Sequence, residues 1–298
     1  MIELVYDVHH QVTFRWLIAL YFYFTGMSAG SFVISTLAYG FGLEKFKPAG
    51  KVGVVMATLL LFIAPIMLLL QVGWPIRSVW NHFTYLNFSS PMTYGAFLLM
   101  MYPINCLIYG YFMFKGDMKR TKIFGMIGIP LAITVHGYTG FILAFGKARA
   151  FWNTALMPFL FLVSAIVSGL GMMIIILLIR DRFFTREKKI NTELIYTLAT
   201  MLGWMIVFDL ALVFCDISVL SIAHAEAKEM THLLLHGELS PLFLGIENLL
   251  GKVVPMVLVL TPKFRSITTI TIASVLVVIG ILFMRFVVVY GGQVLPIV

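Results

Sequence analysis

Long apolar runs broken by short polar clusters set the pattern of this chain. A helix needs roughly 20 apolar residues to cross the hydrocarbon of a bilayer. Eight runs reach that length, at about 14–41, 50–72, 91–114, 121–145, 153–179, 192–217, 241–261 and 266–290. The residue-by-residue alternation of a membrane β-strand is absent, and the runs are far longer than such a strand needs. Lipid offers no partners to backbone N–H and C=O groups, so each span must be helical. The pattern predicts an all-α membrane protein with eight transmembrane helices.

The polar clusters sort by charge. The first, third, fifth and seventh connections hold Lys45, Lys47 and Lys51, then Lys115, Lys119, Arg120 and Lys122, then Arg180, Arg182, Arg186, Lys188 and Lys189, then Lys263 and Arg265. The opposite side holds Arg15, Arg77, Lys147, Arg149 and Lys228. Basic residues favour the cytoplasmic side of a span. Both termini are therefore expected outside, in a multi-pass protein of the cytoplasmic membrane. The first segment, Met1 to Arg15, carries acids and histidines and lacks the cationic start of a cleaved signal peptide. Two outer connections, Gly73–Ser90 and Ile217–Ser240, are too long for tight turns, and the second carries Glu226, Glu229 and Glu238 with three histidines. Such a face is where a partner protein is expected to dock.

A weak internal repeat runs through the spans. Ser-Pro-x-x-x-Gly opens the third at Ser90–Gly95 and the seventh at Ser240–Gly245. "SAGSFVIS" in the first is echoed by "VSGLGMMI" in the fifth, and Tyr138-Thr-Gly in the fourth by Tyr290-Gly-Gly in the eighth. Four spans per copy preserve orientation, which predicts two parallel-repeat four-helix bundles about an axis normal to the membrane. The expected units are 1–150 and 151–298. Gly26, Ser28, Ala29 and Gly30 are small enough to let helix backbones approach.

Composition agrees with this picture. Of 298 residues 61% are hydrophobic and 11% charged, against about a quarter charged in soluble domains. The net charge of +8 is assigned to topology, not to nucleic acid. Cys106 and Cys215 both lie in apolar runs and are expected to be buried thiols. They are too few for an iron–sulfur cluster, which takes about four thiolates. A haem held by two histidines needs both within spans, and only His136 qualifies. The chain is expected to carry no haem, no Fe–S cluster and no metal. A structural metal among His224, His232 and His236 has no convincing ligand spacing.

Ionisable groups inside spans mark function by default. Here they are His136, Asp209, Asp216, Glu247, Lys252 and Arg285. His136, Tyr138 and Thr139 lie in the outer half of span four, with Tyr21 and Tyr23 in that of span one, Gln71 and Trp74 ending span two and Tyr94 starting span three. A quinone head group suits such a pocket: its flat ring stacks on aromatics, its carbonyls take donors, and its redox change needs a proton partner. The plainer reading is an interfacial aromatic belt, which is the stronger one for Trp74 and Trp152. Asp209, Glu247, Lys252 and Arg285 read equally as a buried salt-bridge network or as a proton relay.

These stretches resemble the NrfD/PsrC family of integral membrane subunits, which includes the membrane subunit of polysulfide reductase. The similarity covers nearly the whole chain. It is carried by "FTGMSAGSF", "WNHFTYLNFSSPMTYGAFLL", "HGYTGFILAFGKARAFWNTALMPFLFLVSAIVSGLGMM", "ENLLGKVVP" and "RFVVVYGGQVLP", in that order. The resemblance implies a pair of four-helix bundles with a quinone site near the outer face of the first. It also implies a periplasmic-side, ferredoxin-like [4Fe–4S] subunit and a molybdopterin catalytic subunit. Tyr138 falls where the family places a quinone-contacting tyrosine. Tyr21 falls where the polysulfide reductase type has a histidine, and Ile18 where it has an asparagine. The expected function is that of a quinone-reactive membrane anchor exchanging electrons between menaquinol and the Fe–S partner. The competing readings are a secondary transporter or proton channel and a purely structural anchor.

Overall fold

A computed structural model describes residues 13–184 and 191–295. The basic residues Arg186, Lys188 and Lys189, and the first twelve residues of the expected N-terminal segment, lie outside the described residues. Eight helices are long and apolar enough to cross a membrane. They are α1 (Trp16–Tyr39), α2 (Lys47–Val72), α4 (Pro91–Lys115), α5 (Met118–Ala144), α6 (Met157–Ile179), α7 (Thr192–Ile222), α9 (Pro241–Leu260) and α10 (Ile267–Val294). Two shorter helices, α3 (Pro75–Thr84) and α8 (Ala225–Leu235), fold within the two long connections.

Local chemistry sets the ends of the spans. Pro91 and Pro241 occupy the first turns of α4 and α9, where the missing N–H costs nothing. Gly116 closes α4 with φ 83°, a left-handed stop that favours glycine. Asp117, Asn191 and Ser266 accept from the N–H groups of Arg120, Leu194 and Thr269 and so cap α5, α7 and α10. α7 runs to Ile222, beyond the expected end at 217, so Asp216 lies well inside the helix.

In the first half α1 packs on α2 and α5, α2 on α4, and α4 on α5. In the second half α6 packs on α7 and α10, and α7 and α10 both pack on α9. α1 and α6 meet at the centre, with α5 against α6 and α10 against α1. Gly30 and Gly169 face each other there: a Cβ on Gly169 would lie 2.4 Å from the Gly30 Cα. Peripheral helices present large apolar side chains outward, such as Phe62, Ile66 and Leu70 on α2 and Phe208 and Phe214 on α7. Cys106 is buried as expected, but Cys215 is exposed on α7. In a membrane protein an apolar run covers lipid-facing and core-facing positions alike, so hydropathy does not distinguish them.

The connections 73–90, 145–156 and 223–240 share one end of the helices, here termed the long-loop face. Several side chains tie the halves together there. The Gln293 amide exchanges two 2.9 Å hydrogen bonds with the Phe14 backbone. Arg149 donates to Leu295 O at 2.6 Å, and within the second half Trp152 Nε1 donates to Val288 O at 2.7 Å.

Candidate functional site

Two polar groupings form inside the helices, one in each half. The first centres on α5. His136 is fully buried between α5 and α1. Its Nδ1 lies 2.6 Å from Ala132 O and its Nε2 2.5 Å from Thr25 O. A neutral imidazole has one N–H and donates to one of these at a time. The Tyr102 ring stands edge-on to it at 6.4 Å. Thr139 turns its hydroxyl back to His136 O at 2.7 Å.

Tyr138 is the half-buried member of this turn. Its ring and hydroxyl lie directly over Gly95 on α4, where an added Cβ would be 2.1–2.2 Å away. Tyr21 on α1 is buried and close enough for the two phenols to interact electrostatically. Tyr138 of α5 is thus seated against Gly95 of α4, with Tyr21 of α1 within electrostatic range of it.

The other expected members are placed differently. Tyr23 turns toward the second half, where its hydroxyl donates to Val278 O at 2.8 Å and feels Arg285. Gln71, at the end of α2, donates to Thr13 O at 3.2 Å, and its Oε1 has no hydrogen-bond partner among the described residues. Tyr94 and Trp74 are exposed at the long-loop face. Gly95 was legible only as part of the repeated Ser-Pro-x-x-x-Gly signature. Its service as the seat of a tyrosine from another helix has no signal in local sequence.

The second grouping joins α7, α9 and α10. Lys252 Nζ lies 2.9 Å from Asp209 Oδ2 and 3.0 Å from Glu247 Oε1, and all three side chains are at most 2% exposed. Arg285 is equally buried and close enough to act on both carboxylates. Its Nη2 donates to Ser164 Oγ at 2.7 Å and to Phe161 O at 3.2 Å, and its guanidinium sits 4.0 Å from the centre of the Phe161 ring. Two cations thus face two anions. Buried charge is tolerable only when paired and hydrogen-bonded in this way.

The winding of α9 builds the pair at its core. In an α-helix, residues five apart point about 140° away from each other. Pro241–Val253 is instead a π-helix, whose bonds run from i to i+5. Glu247 and Lys252 are five apart and meet at hydrogen-bond distance. Asn248 donates to Phe243 O, also five residues back, at 2.8 Å. π-helical turns occur frequently at functional sites.

Among the described residues, no three His, Cys, Asp or Glu side chains converge on a common point as metal ligands. His232 and His236 stack one turn apart on α8 with ring centres 5.5 Å apart, while His224 lies 3.9 Å from Glu226.

Eight membrane-length helices enclosing two buried polar groupings define an integral, multi-pass membrane subunit. The chain belongs to the NrfD family: the family model described as "Polysulphide reductase, NrfD" matches residues 5–297. It is 30% identical to the Hdr-like menaquinol oxidoreductase integral membrane subunit of Archaeoglobus fulgidus, over 92% of this chain and 69% of that one. It is 27% identical to a polysulfide reductase subunit of Wolinella succinogenes, over 96% of both proteins. With a selenate reductase subunit of Mesobacillus selenatarsenatis it shares 26% identity, over 94% of this chain and 74% of that one. Family members serve as membrane subunits of menaquinol oxidoreductase or reductase complexes.

Proposed function

We propose that this chain is the quinone-reactive membrane subunit of a multi-subunit Fe–S/molybdopterin oxidoreductase. It exchanges electrons between menaquinol and a ferredoxin-like [4Fe–4S] subunit docked on the long-loop face. On this reading that face is periplasmic, both termini lie outside, and a molybdopterin catalytic subunit sits beyond the Fe–S partner. The observation that carries it is the half-buried Tyr138 phenol seated against Gly95, with the buried Tyr21 phenol within electrostatic range. Two phenols can bond a quinone oxygen and exchange a proton with it.

Quinol brings the redox chemistry, releasing electrons and protons on oxidation. The protein orients the ring and handles the proton. Tyr138 is the half-buried, approachable donor, and Tyr21 is buried in the interior. His136, spent on backbone carbonyls, holds α5 to α1 and so fixes where Tyr138 stands. Thr139 supports the same turn, and Gln71 Oε1 offers a further acceptor near the long-loop face. Tyr23 serves the contact with the second half.

The neighbour relations within residues 1–150 recur within 151–298, which supports two copies of one four-helix unit. On this reading the second unit, with Asp209, Glu247, Lys252 and Arg285, provides a proton pathway. Its buried charges also favour a competing reading, a secondary transporter or proton channel.

Purification in mild detergent, with iron, molybdenum and quinone assayed in one fraction, tests the proposal. Iron, molybdenum and quinone co-eluting with the chain are expected. A stable chain eluting alone, free of all three, overturns it and sends the test to ion transport in liposomes.

A further inference from the structure

Asp216 is a buried acid that neither grouping uses. It lies on α7 seven residues beyond Asp209, about 10 Å along the helix at a 1.5 Å rise per residue. Seven residues make nearly two full turns, so Asp209 and Asp216 share one face. Asp216 is 4% exposed, and its Oδ1 has no hydrogen-bond partner among the described residues.

A small cavity of about 20 Å³ is lined by both Asp216 and Glu247. Its walls are otherwise apolar and include Phe151, Met157, Met284 and Val287. Glu247 Oε2 likewise lacks a partner. A water needs about 10–15 Å³ of such space and at least two polar partners. This cavity has the volume for one, and two acidic residues, Asp216 and Glu247, line it. A dry apolar cavity of that size has no polar atoms to satisfy; this one is bounded by two acids from different helices.

The cavity also points somewhere. Phe151 borders both the cavity and a smaller recess at the long-loop face, lined by Arg149 and Glu226. Glu247, also on the cavity wall, is the first member of the buried cluster, followed by Lys252 and Asp209 at 3.0 and 2.9 Å.

We propose that this cavity is a hydration site that links Asp216, in the last turns of α7 before the long-loop face, to the buried Glu247–Lys252–Asp209 cluster. The charges of the second half thereby exchange protons with Asp216 through a single water. This rests on the proton pathway proposed above for what the exchange serves, but the water site itself does not.

The test is hydroxyl-radical footprinting of the purified complex, in which radicals formed from water oxidise methionine to its sulfoxide. Met157 and Met284 line the cavity and are 1% and 2% exposed. Met113 and Met173 are as deeply buried, at 1% and 0%, and do not line it. Met157 and Met284 are expected to be oxidised above the level of Met113 and Met173. Val287→Phe, which fills the cavity without touching a carboxylate, should abolish the excess, as should Asp216→Leu, while Asp216→Asn retains it. Protection of Met157 and Met284 equal to that of the two controls overturns the proposal, and so does an excess that survives Val287→Phe. Quinol oxidation measured on the same samples reports on the redox reading separately. Labelled Met157 and Met284 in a complex without quinol activity reject that reading and leave the water site standing.

Discussion

The Tyr138 ring occupies the volume that any side chain at position 95 would need. The two residues come from different spans, α5 and α4, so this contact fixes the depth and tilt of the phenol. The obstructing atoms are at the mobile tip of a side chain, and α4 itself has room to keep its course. Gly95→Ala should therefore leave the fold and the assembly intact and push Tyr138 out of its seat. Quinol oxidation is expected to fall while the amount of purified complex stays constant. Unchanged kinetics in Gly95→Ala would mean that the position of the Tyr138 ring is irrelevant to turnover.

Tyr138→Phe removes one hydroxyl and keeps the ring over Gly95. A positioned proton donor contributes about 100- to 10,000-fold to rate. Quinol oxidation is expected to drop by at least the lower of these factors, mainly in kcat, with the iron content of the complex unchanged. Tyr21→Phe should do less, because Tyr21 is buried where Tyr138 is only half-buried. If the two variants exchange that order, Tyr21 is the proton partner and Tyr138 the positioning residue.

Much of this architecture was legible in the chain because lipid leaves so few choices. Eight long apolar runs in a solvent without hydrogen-bond partners fold as eight helices, and their observed bounds depart from expectation by a few residues. The helices α3 and α8 were not read. Each is short and sits in a connection whose polar residues give little span-like signal. The candidate sites were legible as composition and not as geometry. Tyr21 and Tyr23 are two residues apart, so on a helix they point about 200° away from each other. One lies within electrostatic range of Tyr138 and the other meets Val278. The Glu247–Lys252 pair was legible as neighbours on one span, but its contact depends on a π-helical winding that periodicity at 3.6 residues does not reveal. Asp216 was visible as an acid in an apolar run, yet only the packing of α7 against its neighbours gives it a cavity.

His136 is predicted to act through position. Its ring lies between the Ala132 and Thr25 carbonyls and donates to one of them, a bond worth about 0.5–1.5 kcal/mol net. His136→Leu should lower thermal stability by that order and loosen α5 from α1. Quinol turnover should show a raised KM with a smaller change in kcat than Tyr138→Phe produces. A loss confined to kcat, with stability unchanged, would move His136 from support into the chemistry.

The crossing of α1 and α6 depends on the absence of side chains at Gly30 and Gly169. A Cβ on Gly30 would lie 2.6 Å from the Gly169 Cα and 2.8 Å from Ala165 O, and both obstacles are backbone. Neither can swing aside as a side-chain tip can. Small-residue contacts of this kind are what hold helices together where lipid removes the hydrophobic drive. Gly169→Val should separate the two halves and sharply reduce the yield of folded protein in detergent. A normal yield of monodisperse protein would show that the halves tolerate a wider crossing.

Lys252 carries the balance of the buried cluster, because among the described residues it alone contacts both carboxylates. Lys252→Met leaves Asp209 and Glu247 with Arg285 as a nearby cation. Removing one partner from a buried ion pair costs about 3–5 kcal/mol, since the remaining charge is stranded. The single variant is therefore expected to unfold at markedly lower temperature. Adding Asp209→Asn and Glu247→Gln removes the stranded charges and should restore much of that loss. The two proteins then separate structure from proton transfer. If the cluster only braces α7, α9 and α10, the triple variant recovers both stability and any coupling of quinol oxidation to proton movement in proteoliposomes. If it carries protons, the triple variant folds and oxidises quinol but no longer acidifies or alkalinises the lumen as the native complex does.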